Sequence, residues 1–72
     1  MKELKPGKLV RFIGRDGHFF VAGKDPMDDR NAFPVKEGMI GIHIRTNEYK
    51  KYEEVLFDQT IVTMGSVYLE VL

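Results

Sequence analysis

The chain has 72 residues, enough for one small domain over 1–72 whose core leaves only about 3–5 kcal/mol of net stability after chain ordering. It contains no cysteine, which excludes disulfide staples and thiolate metal sites. Formal net charge is zero, which argues against a domain that binds nucleic acid by wholesale phosphate neutralisation.

The zero hides an asymmetry. Residues 1–24 carry six basic groups against Glu3 and Asp16, a balance of +4. Residues 25–72 carry five basic against nine acidic groups, a balance of −4. The opening M-K-E-L-K-P-G-K has no apolar run of the signal-peptide kind, and no segment approaches the roughly 20 apolar residues of a membrane span. A cytoplasmic protein is expected.

In chain order, Lys5-Pro6-Gly7 is a turn signal, and Lys8 to Ile13 follows as a strand rich in β-branched and aromatic residues. Alternation puts Val10 and Phe12 on one face, with Leu9 and Ile13 on the other. Gly14 to Gly17 reads as a turn, and His18 to Ala22 as a short strand or ordered loop arm. From Gly23 to Gly38 two prolines, two glycines and four acids exclude a regular strand or stable helix, and Phe33-Pro34-Val35 is the apolar knot expected to pin this loop to the core. Long loops of this kind are disproportionately functional.

Gly38 to Leu72 organises the rest. Ile40, Ile42 and Ile44 alternate with Gly41, His43 and Arg45, which predicts a strand with the isoleucines on the core face. Gly41 inside that strand implies a sharp bend or a close backbone approach. Residues 47–51 form a polar turn, 52–57 and 60–64 a hairpin around Asp58-Gln59, 65–67 one 3₁₀ turn, and 68–72 a closing strand.

Three segments carry a family resemblance: G-M-I-G-I-H-I at 38–44, Y-E-E-V-L-F-D at 52–58 and G-S-V-Y-L-E-V-L at 65–72. In this order they resemble the Src-homology-3-like barrel, and the last is similar to the P-S-N-Y-V tail of Src-homology-3 domains, with Ser66 and Tyr68 at matching positions. The fold implied is all-β: a five-stranded barrel with a long first loop and one 3₁₀ turn before the last strand. The glycine-bearing strand also resembles the G-x-x-G-x-V pattern of KOW-type barrels. The style of the chain is similar to small barrel proteins of tailed phages from marine bacteria. One departure bears on ligands: the chain has no tryptophan, and Tyr52 stands where the peptide-binding domains carry an indole. A conventional proline-rich ligand is therefore not expected.

No motif points to catalysis. Ser66, Thr60 and Thr63 lie outside any G-x-S-x-G context, no glycine-rich phosphate loop is present, and no cofactor is expected. His18 and His43 have no second ligand at metal spacing and read as surface or turn histidines. Asp25, Asp28, Asp29, Asn31 and Glu37 fall outside the calcium-loop register, so a solvated loop is expected and no metal.

The aromatic set remains. The alternation rule assigns Phe12, Phe57 and one of Phe19 or Phe20 to the core. The barrel resemblance implies that Phe19, Phe20, Phe33, Tyr52 and Tyr68 meet at one groove between the long loop and the 47–51 turn. The expected function is a non-enzymatic binding or adaptor module contacting a protein partner through that groove. Two alternatives are a KOW-like or Sm-like nucleic-acid module using Lys5, Lys8, Arg11 and Arg15, and a small accessory subunit of a larger complex. The accessory subunit, or a homo-oligomer, would associate through an exposed strand.

Overall fold

The computed structural model describes residues 7–25 and 28–72. Within them run seven strands: β1 Leu9–Phe12, β2 Gly17–Phe20, β3 Ala32–Val35, β4 Ile40–Asn47, β5 Tyr52–Phe57, β6 Thr60–Met64 and β7 Leu69–Val71. Single 3₁₀ turns at Asp29–Asn31 and Ser66–Tyr68 precede β3 and β7. The protein is all-β. Among the described residues no helix is long and apolar enough to cross a membrane.

The five strands expected from sequence form one antiparallel sheet in the order β6-β5-β4-β1-β7. The first strand lies between the fourth and the last, with Val10 opposite Val71 and Phe12 opposite Leu69. The β5–β6 link is a tight turn in which Asp58 takes a left-handed φ of 58°, a conformation Asp tolerates better than most residues.

β2 and β3 add a separate two-stranded ribbon. Its second strand falls inside the 23–38 segment expected to have none. The ribbon tolerates Pro34 because a two-stranded ladder has free outer edges, where a missing N–H costs nothing; Pro34 lies opposite His18 and is exposed. The expected apolar knot does pin the segment, with Val35 fully buried and Phe33 packed on the core. The ribbon's end is tied to β6 by a bridge between Val21 and Val62, a bond from Ala22 N to the Ile61 carbonyl at 2.9 Å, and one from Thr63 Oγ1 to the Phe20 carbonyl at 3.1 Å.

The core is Val10, Phe12, Val35, Val55, Phe57, Val62, Met64 and Leu69. The Val10/Phe12 alternation in β1 is as the sequence predicts, with Leu9 and Ile13 outside. Phe19 packs on the core and Phe20 faces out.

β4 is reversed relative to expectation. Ile40 and Ile42 are 48% and 39% exposed, while Gly41 and His43 are buried. Gly41 explains this. A Cβ at that position would lie 2.7 Å from the Leu56 carbonyl oxygen and 2.9 Å from the Phe57 ring, so this face is pressed against the next strand and its aromatic. A residue with no side chain is what the contact requires. One-residue periodicity then turns the isoleucines outward. The register shifts between His43 and Arg45, a bulge that leaves Ile44 only half-buried.

The outward face therefore carries an aliphatic row. Leu9 lies opposite Ile42, Ile42 opposite Leu56 and Leu56 opposite Ile61, with Leu72 beside Leu9. These packing assignments have a direct check by urea unfolding. Gly41→Ala is expected to destabilise by about 1–3 kcal/mol, the usual cost of overpacking. Ile42→Thr is expected to stay within about 0.5 kcal/mol of wild type, as for an exposed position. The reverse ranking would show that the face assignment is wrong.

A cleft between the ribbon and the 47–51 turn

Two turns face each other across the end of the β5–β6 hairpin. In the first, Lys24 N donates to the Val21 carbonyl at 3.2 Å. In the second, Asn47 organises the chain with both ends of its side chain: Oδ1 accepts from Lys50 N at 3.0 Å and Nδ2 donates to Tyr52 Oη at 3.4 Å. Its carbonyl accepts from Lys51 N at 2.7 Å, and Lys51 takes a left-handed φ of 60°. Asx side chains close turns in this way.

Between the turns lies an open cleft of about 480 Å³. Phe20, Val21, Gly23 and Lys24 line it from the ribbon's end. Lys50, Tyr52 and Thr63 line it from the sheet. Phe20 is 47% exposed although it is a large aromatic, and Tyr49 stands 92% exposed at the tip of the 47–51 turn. Both charged lining residues are lysines.

The five aromatics expected at one groove divide between two places. Phe20 and Tyr52 line the cleft. Phe19 and Tyr68 instead form a ring cluster with Phe12, with centroids 5.4 Å (Phe12–Phe19), 5.5 Å (Phe19–Tyr68) and 6.1 Å (Phe12–Tyr68). Two of these contacts are edge-on, the geometry favoured by ring quadrupoles. Gly14 lies beneath the cluster, where a Cβ would come within 2.7 Å of Tyr68 and 2.8 Å of Phe12. Phe33, opposite Phe19 in the ribbon, packs on the core. Tyr68 is thus partly exposed but anchored as an extension of the core.

His43 is not the surface histidine expected. It is fully buried, and its Nε2 lies 2.8 Å from Glu53 Oε1. Thr46 Oγ1 donates to the same oxygen at 2.6 Å. An oxygen accepting from both partners places the ring proton on Nε2. His43 Nδ1 is buried and has no hydrogen-bond partner among the described residues. Glu54, the next residue, faces the opposite side and accepts twice from Arg45, from Nε and Nη2 at 3.1 Å each. That carboxylate holds the Arg45 guanidinium above its ordinary pKa, chiefly through the hydrogen bonds. Both glutamates are buried.

Of the cations considered for nucleic acid, Lys5 lies outside the described residues. Lys8, Arg11 and Arg15 are exposed, and Arg11 is paired with Glu70. In the acidic loop Asp28 accepts from Arg30 through both carboxylate oxygens, which holds its carboxyl below the usual carboxylate range. Asn31 Nδ2 donates to the Asp25 carbonyl at 2.9 Å. The side chain of Asp29 lies outside the described residues. Among the described residues no group of three His, Cys, Asp or Glu side chains is placed to hold a metal ion.

Of the five aromatics expected at one groove the cleft takes Phe20 and Tyr52, and its further lining by Lys24, Lys50 and Thr63 and its organiser Asn47 were not expected from the sequence. The signal for Asn47 was present in its position three residues before a lysine and five before Tyr52. Compared with known proteins, the chain has no significant match to a family model, a curated protein or a solved structure.

Two substitutions distinguish the two aromatic groups. Tyr68→Ala is expected to lower the urea midpoint, costing about 1–3 kcal/mol by opening the ring cluster. Asn47→Ala is expected to cost less than about 1.5 kcal/mol and to speed amide exchange at Lys50 and Lys51 while leaving β1 and β7 protected. Equal loss of protection in all these strands would contradict the local role of Asn47.

Proposed function

We propose that this protein is a non-enzymatic binding module of the Src-homology-3-like barrel type, which contacts a protein partner through the cleft lined by Phe20 and Tyr52. The observation that carries this reading is an exposed aromatic wall held open between two ordered turns. A large ring left 47% exposed fits a surface built for recognition better than one built for stability. Tyr49 on the adjoining rim adds a second exposed ring of the type enriched at interfaces.

The fold part of the proposal is supported by strand order. Five strands in one antiparallel sheet, a long segment between β1 and β4 and a 3₁₀ turn before β7 agree with the elements that the barrel resemblance implies. The bridge from Val21 to Val62 supports closure, since it brings the ribbon against β6.

The test is selection of a random twelve-residue peptide library, displayed on phage, against the immobilised protein. Enriched peptides are expected to bind wild type and to lose about thirtyfold in affinity to the Phe20→Ala/Tyr52→Ala variant, the scale of an interface hot spot. Tyr68→Ala is expected to bind them unchanged at temperatures where it is folded. Peptides insensitive to the Phe20/Tyr52 pair would refute the cleft as the contact surface.

A further inference from the structure

We infer that the cleft takes an acidic peptide segment, one carboxylate side chain seated between Lys24 and Lys50 with an apolar neighbour against Phe20. The inference rests on the cleft being the contact surface and adds the chemistry of the ligand. Among the lining residues the charges are all of one sign, Lys24 from one rim and Lys50 from the other. Neither lysine takes part in an ion pair among the described residues, where the Lys and Arg side chains that do are Arg11, Arg30 and Arg45. Each stands on a turn fixed by its own main-chain N–H, bonded to the Val21 carbonyl and to Asn47 Oδ1 respectively. Both lysines are therefore anchored at their main chain on opposite rims of the cleft.

A third donor points the same way. Tyr52 Oη accepts from Asn47 Nδ2, which leaves its own O–H free to donate. Thr63 spends its hydroxyl on the Phe20 carbonyl and so contributes mainly its methyl group. The lining thus offers two ammonium groups and a phenolic O–H beside an aromatic and an aliphatic side chain. A carboxylate accepts without donating, and it matches that set.

The cleft is short of what a polyphosphate chain needs. A nucleic-acid backbone binds by several cations in a stripe. Here Asp25 follows Lys24 and Glu48 precedes Lys50 by two residues, while Arg11 is neutralised by Glu70. Such rims accept a single carboxylate and oppose a continuous anionic chain.

The same phage selection, read for composition, tests the inference. Enriched peptides are expected to share an Asp or Glu at a fixed distance from an apolar residue. A synthetic copy of the strongest binder is then titrated by fluorescence anisotropy. Lys24→Gln/Lys50→Gln is expected to weaken it about tenfold, matching two exposed charge contacts. Changing the peptide's acid to its amide should cost a similar factor with no further loss in the double variant. Raising salt from 50 to 500 mM KCl should weaken the wild-type complex and leave the double variant nearly unaffected. In the swapped pair, Lys50→Glu with the peptide's acid changed to lysine, affinity should recover.

Enriched peptides that are neutral or basic, or that ignore the two lysines while still requiring Phe20 and Tyr52, overturn the acidic ligand and leave the cleft standing. Enriched peptides that ignore Phe20 and Tyr52 overturn both. Binding of a twelve-nucleotide single-stranded RNA that depends on Lys24 and Lys50, with no acidic peptide enriched, overturns the peptide and assigns the site to nucleic acid. Both lysines are exposed, so their replacement leaves the core untouched.

Discussion

The close contact of Gly41 with the Leu56 carbonyl and the Phe57 ring sets the geometry of the whole sheet. Because β4 is the central strand, the face it turns inward fixes the faces of β1 and β5 through their registers. With Gly41 inside, Phe57 can lie flat against the strand, and Val10, Val55 and Val62 fill in around it. The same choice carries His43 into the interior. A buried imidazole without partners would cost more than a domain of this size can spare. Glu53 and Thr46 supply the answer on one side of the ring. The bulge at 43–45 is what lets Thr46 reach the same carboxylate, since it restores inward phase to β4 after the extra residue.

The cleft draws its order from this frame. Tyr52 and Thr63 belong to β5 and β6, so one wall is part of a rigid hairpin. The other wall is the end of the β2–β3 ribbon, which is tied to β6 by the Val21–Val62 bridge, the Ala22–Ile61 bond and the Thr63 hydroxyl. The two rims are turns, yet both are closed by hydrogen bonds to defined acceptors. Asn47 links the 47–51 rim to the wall, because one side chain bonds both the Lys50 main chain and the Tyr52 phenol. Recognition residues on short, bonded turns of a rigid scaffold lose little entropy when a ligand arrives.

Much of the architecture was legible because period-two patterning and turn residues are local signals. β1, β5, β6, β7 and the 3₁₀ turn were read from alternation and from Asp58-Gln59. The phase of β4 runs against the stronger hydrophobic signal of its three alternating isoleucines because a steric contact with the neighbouring strand β5 overrides it. Nothing in I-G-I-H-I alone records where the Phe57 ring will lie. His43 follows the same phase, its partner Glu53 being ten residues away and fixed only by register. β3 was missed because Pro34 is a strand breaker in a central strand and harmless in a ribbon. Of the candidate site, the aromatics are visible as residue types, but their division into a core cluster over Gly14 and a cleft wall beside Thr63 depends on tertiary placement. The lysines carried no sequence signal, since pairing and placement distinguish Lys24 and Lys50 from the other cations.

The antiparallel pairing of β1 with β7 brings the two ends of the described chain to one place, with Leu72 N bonded to the Leu9 carbonyl at 3.0 Å. Adjacent ends make a domain portable. A chain of this topology can be spliced into a surface loop of a host protein with short connectors, leaving every strand pair closed. New ends opened at Asp58-Gln59, with the old ones joined, would preserve the sheet order and the Asn47 turn alike. Opened between 47 and 51, the same permuted sheet would lose the bonds that orient Lys50 and Tyr52, so the fold and the recognition surface can be separated by the choice of where the chain is cut.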